Sequence, residues 1–471
     1  MDTVSNNNAN PADTSQSGII HSQRYYFNSG ATKDIQFRIK QLTTLKKAFL
    51  VHEKNLYAAM KSDLNKSEAE AYTTEFGITI AEIEHNLKNI RKWTKPVRVS
   101  TPLFFLPAKS YIRYEPYGVA LIISPWNYPI KNLFGPLLGA MTAGNCCVLK
   151  PSELAPATSS AISKMISEFF KPEYLAVIEG GIPETTDLLK EKFDYILFTG
   201  GTATGKIIYE AAAKHLTPVT LELGGKSPAI VDRDINLDVT ARRIVWGKFT
   251  NAGQTCVAPD YILVHKEIKN RFITRVNEII TEFFGKDPST SPDFGRIINQ
   301  KHFERVKNLI SGDIITGGLT DASQRYIAPT IIDNVKPGDK VMQEEIFGPV
   351  MPLIEYEKTE EAIAFINKGE KPLALYVFSK NKKTVDKILN ETSSGGVCIN
   401  DAFVHLGNMN LPFGGTGNSG MGAYNGKTGF ETFSHKRAVL KRSFLFDVKQ
   451  RYAPYSAGKL GFLKFAMKKL L

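Results

Sequence analysis

The stretch YILFTGGTATGK, residues 195–206, passes from a short apolar strand through a glycine pair into a helix. Four more apolar runs of strand length lie near it, separated by segments of helix length: GVALIIS (118–124), CVLK (147–150), LAVIEG (175–180) and VTLELGG (219–225). Strands that alternate with helices at this spacing predict a parallel sheet covered on both faces. Ligands of such sheets bind beyond the carboxyl ends of the strands, so the residues after each strand are the candidates for function.

Helical and α/β segments flank this predicted sheet. Between Ile35 and Trp93 the apolar residues recur every three or four positions, which is the period of a helix. A second α/β region runs from about residue 227 to 400, and a glycine-rich loop follows at 411–422. Its predicted helices cover 236–252, 266–284 and 359–367. Residues 1–20 are rich in Asn, Ser and Asp, so we expect a disordered N-terminal tail.

Composition excludes several classes of protein. With 42% hydrophobic and 23% charged residues in 471, the chain is neither a disordered protein nor a collagen-like fibre. The net charge of +12 favours anionic partners, but Lys and Arg are scattered, and we expect no nucleic-acid partner. The sequence has no secretory signal pattern and no apolar run of spanning length, which predicts a cytoplasmic protein.

The four cysteines are Cys146, Cys147, Cys256 and Cys398. Their spacing matches no metal finger and no CxxC pair, so we expect free thiols in a reducing compartment and no metal site.

The glycine-rich segment after the strand at 195–199 resembles a phosphate-binding loop only in part. Backbone N–H groups at the start of a helix face an incoming anion, and Gly200, Gly205 and Lys206 have nearly P-loop spacing. However, Ile207 stands where that motif needs a hydroxyl for magnesium, and the GxGxxG fingerprint is absent. A nucleotide site and an ordinary strand–helix turn therefore remain equal interpretations of this segment by itself.

Three further residues have both a chemical and an ordinary interpretation. A free cysteine is more often a small buried apolar residue than a nucleophile, and the polar stretch NAGQT before Cys256 shifts the interpretation toward a reactive thiol without deciding between the two. Glu222 interrupts an apolar strand, as a base with a raised pKa or as half of a structural ion pair. Asn127 follows a strand in SPWNYP, where its amide can donate to an oxyanion or merely complete a turn.

Seven motifs in one order resemble the aldehyde dehydrogenase superfamily. They are PWNYP (125–129), LKPSE (149–153), FTGGTATG (198–205), LELGGKSP (221–228), GQTCVAPD (253–260), EEIFGPV (344–350) and LPFGG (411–415). The stretches VMQEEIFGPV (341–350) and FETFSHKR (430–437) resemble those of the class 3 branch, the fatty and aromatic aldehyde dehydrogenases. The resemblance covers about residues 30–445.

The resemblance implies the α/β aldehyde dehydrogenase fold, with a Rossmann-like cofactor domain, an α/β catalytic domain and an oligomerisation hairpin. The NAD-binding domain would comprise 21–97 and 117–224, and the catalytic domain 225–420. The oligomerisation region would comprise 98–116 and 430–445, leaving 446–471 as a C-terminal tail. Because class 3 members are usually dimers, we expect a homodimer.

The resemblance also implies an NAD(P)-dependent oxidation of medium- or long-chain aliphatic or aromatic aldehydes to carboxylic acids. Cys256 would attack the aldehyde as a partly ionised thiolate, giving a thiohemiacetal and then a thioester. Asn127 would stabilise the oxyanion, and Glu222 would activate the water that hydrolyses the thioester. Tyr128, Phe403 and His405 would line the aldehyde pocket.

A third implication concerns the cofactor. The residues expected to bind it are Trp126, Lys150, Glu153, Gly200, Gly201, Thr202, Gly205, Glu345 and Phe347. Glu153 beside the adenine ribose favours NAD, because a carboxylate repels a 2′-phosphate, with NADP as the alternative.

Three other functions are alternatives to this hydrolytic oxidation of aldehydes. A coenzyme A-acylating or a reductive enzyme of the same fold would have no need of Glu222, and a non-enzymatic binding protein would need none of the three site residues. The tail KLGFLKFAMKKLL (459–471) predicts a basic amphipathic helix. We expect it to pack on the subunit or its partner, with peripheral contact to a membrane as the alternative.

Overall fold

A computed structural model describes residues 15–445 and 447–470. Its longer helices cover Gln16–Asn28, Ile35–Leu64, Gly77–Trp93, Lys131–Ala143, Pro156–Phe169, Ile182–Leu188, Thr202–Ala213, Leu237–Phe249, Lys269–Phe284, Gln300–Lys307, Thr359–Lys368, Lys382–Glu391, Gly426–Thr432 and Ala457–Leu470. The predicted helical layer at 35–93 and the predicted helices of the second region are therefore confirmed, with ends that differ by a few residues.

One sheet contains the strands predicted around YILFT. In the described part of the chain its six strands follow the spatial order Gly420–Met421, Val219–Glu222, Tyr195–Thr199, Val119–Ile123, Cys146–Lys150 and Leu175–Val177. All pairings are parallel except the one between Gly420–Met421 and Val219–Glu222. The carboxyl ends of the parallel strands thus share one edge, which brings the segments after residues 123, 199 and 222 together.

A second sheet forms the other half of the molecule. Among the described residues its seven strands follow the order Asp313–Thr316, Thr330–Asp333, Val350–Tyr356, Tyr261–His265, Pro228–Val231, Ala374–Phe378 and Gly396–Ile399. The pairings are parallel except for the antiparallel edge strand Asp313–Thr316. Each large sheet has its own buried apolar core, as parallel sheets with covered faces require.

A small antiparallel sheet confirms the predicted hairpin. Ala108–Pro116 lies between Val97–Val99 and Ser434–Arg442, and it pairs with the latter along its whole length, from Ala108 opposite Arg442 to Pro116 opposite Ser434. This sheet joins the start of the first α/β region to the end of the second.

The predicted disorder of residues 1–20 is wrong for the part that the structure describes. Helix Gln16–Asn28 begins at Ser15, whose hydroxyl accepts a hydrogen bond from the Gly18 N–H, and Ile20 is buried. The polar composition of residues 1–20 hid this helix, because the apolar residues that dock it on the core, Ile19, Ile20, Tyr26 and Phe27, begin only at residue 19. The Gln23 amide adds a hydrogen bond to the Cys147 carbonyl at 2.9 Å. Residues 1–14 lie outside the described residues.

The C-terminal segment is helical over Ala457–Leu470, as the sequence predicts. The helix touches the turn Leu103–Phe105, and Ala466 is buried, whereas Leu460, Phe462, Phe465 and Met467 remain exposed. No helix within the described ranges is long and apolar enough to cross a membrane.

Candidate active site

Cys256 lies on a tightly held loop between helix Leu237–Phe249 and strand Tyr261–His265. The backbone turns through the left-handed region at Asn251 (φ 55°) and Ala252 (φ 51°), which costs energy for non-glycine residues and is typical of functional sites. The buried side chain of Gln254 stabilises the turn by donating to the Asn251 carbonyl at 3.0 Å and the Arg296 carbonyl at 2.9 Å. The sulphur is therefore presented from a rigid backbone.

Two cavities meet at Cys256. The first, which we call the aromatic cavity, is lined by Thr73, Thr74, Ile78, Tyr128, Lys131, Asn132, Trp246, Thr255, Cys256, Phe403, Val404, Leu406, Gly407, Phe413, Tyr424 and Asn425. The second, the glycine cavity, is lined by Pro125, Trp126, Asn127, Asn132, Thr199, Gly200, Gly201, Thr202, Glu222, Leu223, Gly224, Cys256, His302, Arg305, Glu344, Glu345, Phe347, Leu373 and Phe413. A thiol at this junction can react with a molecule in one cavity beside a molecule in the other.

The surroundings of the Cys256 thiol disfavour its ionised form. Burial raises its pKa well above the usual range, and the nearby carboxyl groups of Glu345 and Glu222 raise it further. The backbone N–H groups of Cys256 and Val257 oppose this rise. Attack by the sulphur requires loss of the thiol proton, which the raised pKa opposes.

Asn127 is buried, and its amide is held at both ends. Its Nδ2 donates to the Gln254 carbonyl at 3.1 Å, and its Oδ1 accepts from Asn132 Nδ2 at 3.3 Å. The oxygen is thus turned away and the nitrogen toward the loop that carries Cys256. An amide nitrogen oriented in this way is a preorganised donor for a negative oxygen that forms at that loop.

Glu222 is buried at the carboxyl end of its strand, and neither carboxyl oxygen has a hydrogen-bond partner among the described residues. Burial raises the pKa of this group well above its usual range. Within residues 15–445 and 447–470 no Lys, Arg or His pairs with Glu222, so the structural ion pair that the sequence left open is not formed there. A buried, partnerless carboxyl in a cavity is the arrangement expected of a general base.

The glycine cavity fits a dinucleotide. Gly201 precedes helix Thr202–Ala213 without a side-chain cap, and a Cβ built there would meet no atom within 4 Å. The N–H groups of the first helical turn are therefore open to a phosphate. The hydroxyl of Thr199 is buried in the same cavity without a partner in the described part of the chain, and it provides a further polar group.

Glu345 and Phe347 form another wall of the glycine cavity. A Cβ added to Gly224 would lie 2.0 Å from Glu345 Oε2, so the carboxyl group needs a glycine at this point. Burial raises the pKa of Glu345 to about 8. The ring of Phe347 packs edge-on against Trp126, with centroids 5.3 Å apart.

Three of the predicted cofactor residues do not line this cavity. The ammonium group of Lys150 donates to the carbonyls of Pro151 and Gly180, and exposed Glu153 lies beside Gly181, where a Cβ would stand 3.6 Å from Glu153 Cγ. Gly205 lies inside its helix against Leu223, so its role in the structure is close packing. The other predicted residues, Trp126, Gly200, Gly201, Thr202, Glu345 and Phe347, are brought together as expected.

The aromatic cavity is only partly as predicted. Tyr128 and Phe403 line it, with ring centroids 6.1 Å apart, but His405 does not. The His405 ring packs on Tyr376 instead, and burial lowers its pKa to about 4. Sequence reasoning missed Trp246, which meets Phe403 edge-on at 5.4 Å, as well as Thr73 and Thr74 from the N-terminal helices and Asn425. None of these residues carries a motif of its own.

No group of three or more His, Cys, Asp or Glu residues that could hold a metal ion occurs within residues 15–445 and 447–470. Cys146, Cys147, Cys256 and Cys398 are all free thiols.

Comparison with known proteins gives a consistent result. The model of the aldehyde dehydrogenase family matches residues 12–439. The chain is 48% identical to 4,4'-diaponeurosporen-aldehyde dehydrogenase of Staphylococcus aureus, over 94% of this chain and 97% of that protein. It is 51% identical to the dimeric NADP-preferring aldehyde dehydrogenase of Canis lupus familiaris, over 93% of this chain and 97% of that protein.

Solved structures of aldehyde dehydrogenases are also similar to this chain. The substrate-bound state of Staphylococcus aureus AldH has a TM-score of 0.94 at 47% identity, covering 96% of this chain and 99% of that one. A Mycobacterium tuberculosis aldehyde dehydrogenase complexed with NAD+ has a TM-score of 0.82 at 27% identity, covering 92% and 91%. This chain therefore belongs to the aldehyde dehydrogenase family and is an NAD(P)-dependent enzyme that oxidises aldehydes.

Proposed function

We propose that Cys256 is the nucleophile of a hydrolytic aldehyde dehydrogenase. The observation that carries this proposal is the position of its thiol, which borders both cavities beside Asn127 and Glu222. The sulphur forms a bond to the aldehyde carbon while the carbonyl electrons move to oxygen. Asn127 Nδ2, together with a backbone N–H of the Cys256 loop, stabilises the resulting oxyanion.

The glycine cavity is the proposed cofactor site, with Trp126, Gly200, Gly201, Thr202, Glu345 and Phe347 around the dinucleotide. A nicotinamide dinucleotide held by these residues would supply the hydride acceptor for the oxidation, and Cys256 would keep the acyl group as a thioester. The carboxyl group of Glu345 is suited to a ribose hydroxyl, because it is half-buried in the wall of the glycine cavity and can accept a hydrogen bond there. We place Lys150 and Glu153 at the adenosine end of the site, outside the glycine cavity.

Glu222 is the proposed base for hydrolysis. In its ionised form it takes a proton from water, the oxygen adds to the thioester carbon, and the sulphur leaves with its electrons to regenerate Cys256. A partnerless carboxyl argues against an acylating enzyme, in which coenzyme A rather than water would release the acyl group. The proton of the Cys256 thiol goes to bulk water before the attack, so Glu222 is ionised and available when hydrolysis begins.

The proposed substrates are medium- or long-chain aliphatic or aromatic aldehydes. The aromatic cavity supports this class, because Tyr128, Trp246, Phe403 and Tyr424 offer rings and little charge to the substrate. The relative from Staphylococcus aureus, named for 4,4'-diaponeurosporen-aldehyde, supports a substrate larger than acetaldehyde.

The test is NADH formation from a panel of aldehydes, from short aliphatic to long-chain and aromatic. Cys256→Ala should abolish turnover, while Glu222→Gln should release NADH once and then stall as an acyl-enzyme visible by intact mass. Cys398→Ala is the matched control, since this half-buried free thiol lines neither cavity. Activity that survives Cys256→Ala, or an acyl-coenzyme A product in the presence of coenzyme A, would contradict the proposal.

We further propose the assembly and the division of the chain. The cofactor domain comprises 21–97 and 117–224, the catalytic domain 225–420, and the hairpin sheet of 98–116 with 430–445 joins two subunits into a homodimer. The exposed face of strand Ser434–Arg442 and the relatives named as dimeric support this assembly. The free cysteines, including the nucleophile, support a reducing, cytoplasmic location.

The C-terminal helix Ala457–Leu470 is the proposed site of peripheral membrane contact. Exposed Leu460, Phe462, Phe465 and Met467 on a segment with four lysines favour an anionic lipid surface. Co-sedimentation with anionic vesicles should be lost when the chain ends at Tyr455. Equal sedimentation of the full chain and the shortened chain would contradict this membrane contact. It would favour packing of these side chains on the partner subunit.

A further inference from the structure

An ion pair that lines neither cavity lies behind the loop 125–129, which carries Asn127. Lys66 and Glu75 come from the N-terminal helical layer, and their ammonium and carboxylate groups are in direct contact. Both side chains are 0% exposed. Burial of two charges carries a desolvation cost that their attraction rarely exceeds, and apolar residues of the same size are often equally stable. Stability alone therefore gives no reason for this pair.

The pair holds the loop at two points. Lys66 Nζ donates to the Asn127 carbonyl at 2.9 Å. Glu75 Oε2 accepts from the Ile130 N–H at 2.8 Å and from the Lys131 N–H at 3.4 Å. One ion pair thus connects the residue that carries the oxyanion donor to the first turn of the helix that follows it.

The surroundings of the pair restrict the same loop. Lys66 Nζ lies 4.1 Å from the centre of the Tyr128 ring, which limits its movement on one side. Asn251 Nδ2 donates to the same Asn127 carbonyl at 2.9 Å and to the Gln254 carbonyl at 3.1 Å. The Asn127 backbone is therefore fixed between the buried ammonium group and the loop that carries Cys256.

We propose that Lys66 and Glu75 are positioning residues for the oxidation, which hold the Asn127 backbone so that its amide nitrogen faces the oxyanion. This inference rests on the proposed role of Asn127. Neither residue touches the substrate. Their effect passes through the 127–131 backbone, where a displacement of about 1 Å is enough to lower a catalytic rate by about 10²-fold.

The test replaces the pair as a unit, Lys66→Met with Glu75→Leu, so that no unpaired charge remains buried. It is combined with Asn127→Ala in a double-mutant cycle. The readouts are kcat for NADH formation, KM for the aldehyde and the thermal transition. We expect kcat to fall about tenfold to 10²-fold with KM little changed, because oxyanion stabilisation acts in the transition state. In the Asn127→Ala background the same replacement should change kcat less than about twofold.

The matched control replaces Lys269 and Asp333, a mostly buried ion pair at 2.9 Å in the catalytic half, by Met and Leu. It should leave kcat unchanged. If the Lys66/Glu75 replacement lacks a cooperative thermal transition, Lys66→Met with Glu75→Gln takes its place in the cycle, because it leaves no unpaired charge buried and removes the donor to the Asn127 carbonyl while the amide oxygen still accepts from Ile130.

The outcomes separate the two proposals. Wild-type kcat in the paired variant, or an equal loss of kcat with and without Asn127, overturns the positioning role while the proposed function stands. Wild-type kcat in Asn127→Ala alone overturns the oxyanion role, and the positioning role falls with it. A loss of kcat that disappears in the Asn127→Ala background supports both.

Discussion

The glycine cavity and the aromatic cavity share Cys256 but are built in opposite ways. The glycine cavity takes most of its wall from short motifs that directly follow strands, such as 199–202 and 222–224. The aromatic cavity takes its wall from helices and loops far apart in the chain, from Thr73 to Asn425. This difference indicates that short local motifs determine the wall of the proposed cofactor site. The wall of the proposed aldehyde site depends instead on how segments far apart in the chain pack together.

The largest effect is expected from Gly224→Ala in the glycine cavity. The added methyl would lie 2.0 Å from Glu345 Oε2 and would displace the carboxyl group. We expect kcat/KM for NAD to fall about 10²-fold, as for other small displacements of binding groups. Initial rates at varied NAD provide the measurement. The contrast between the two cavities is contradicted if Gly224→Ala changes the KM for the aldehyde but leaves kcat/KM for NAD unchanged. Gly338→Ala, at a glycine that lines neither cavity and has open space around it, is the control.

The pH dependence of acyl-enzyme hydrolysis tests the proposed role of Glu222 beside Cys256, where the two cavities meet. Burial raises the pKa of Glu222 above its usual range, and only the ionised form of the group can act as a base. The rate of hydrolysis of a preformed acyl-enzyme should therefore rise about tenfold per pH unit up to the raised pKa. Stopped-flow measurement from about pH 6 to 9 would show this slope. A flat profile, or the same slope in Glu222→Gln, would exclude Glu222 as the base.

A smaller and selective effect is expected from Trp246→Ala. The indole packs edge-on against Phe403 and forms part of the aromatic cavity. We expect kcat/KM to fall about tenfold for long-chain and aromatic aldehydes, the scale of a lost apolar contact, and little for short ones. The KM for NAD should not change. Trp246→Phe is the control, and a uniform loss across all aldehydes would argue against a role in selectivity.

The smallest effect is expected from Glu153→Ala, outside both cavities. Its exposed carboxylate lies beside Gly181, at the proposed adenosine end of the cofactor site. Removal of the charge should raise the ratio of kcat/KM for NADP to that for NAD a few-fold, about 1 kcal/mol at an exposed site. Steady-state assays with both cofactors measure the ratio, with Glu184→Ala as control. An unchanged ratio would remove Glu153 from cofactor choice.

The sequence predicted the parallel sheet well, because its signals are local. Apolar runs between helix-length segments predict buried parallel strands, and Cys256, Asn127 and Glu222, the proposed reacting centre, stand in motifs whose chemistry can be interpreted without coordinates. The disordered tail was predicted wrongly over residues 15–20, since polar residues dominate the composition of residues 1–20 and the apolar residues that dock the helix begin only at Ile19. His405 was predicted in the aldehyde pocket, but the side to which a loop residue turns depends on tertiary packing.

The sequence by itself determined the fold class, the family and the three residues proposed for the reacting centre, since each depends on residue type at short spacing. Only the tertiary structure decided that burial raises the pKa of the Cys256 thiol, that Glu222 has no hydrogen-bond partner in the described part of the chain, and that Lys66 and Glu75 lie behind Asn127. The physical reason is that burial and desolvation arise from segments far apart in the chain, and these are what shift a pKa or form a buried ion pair.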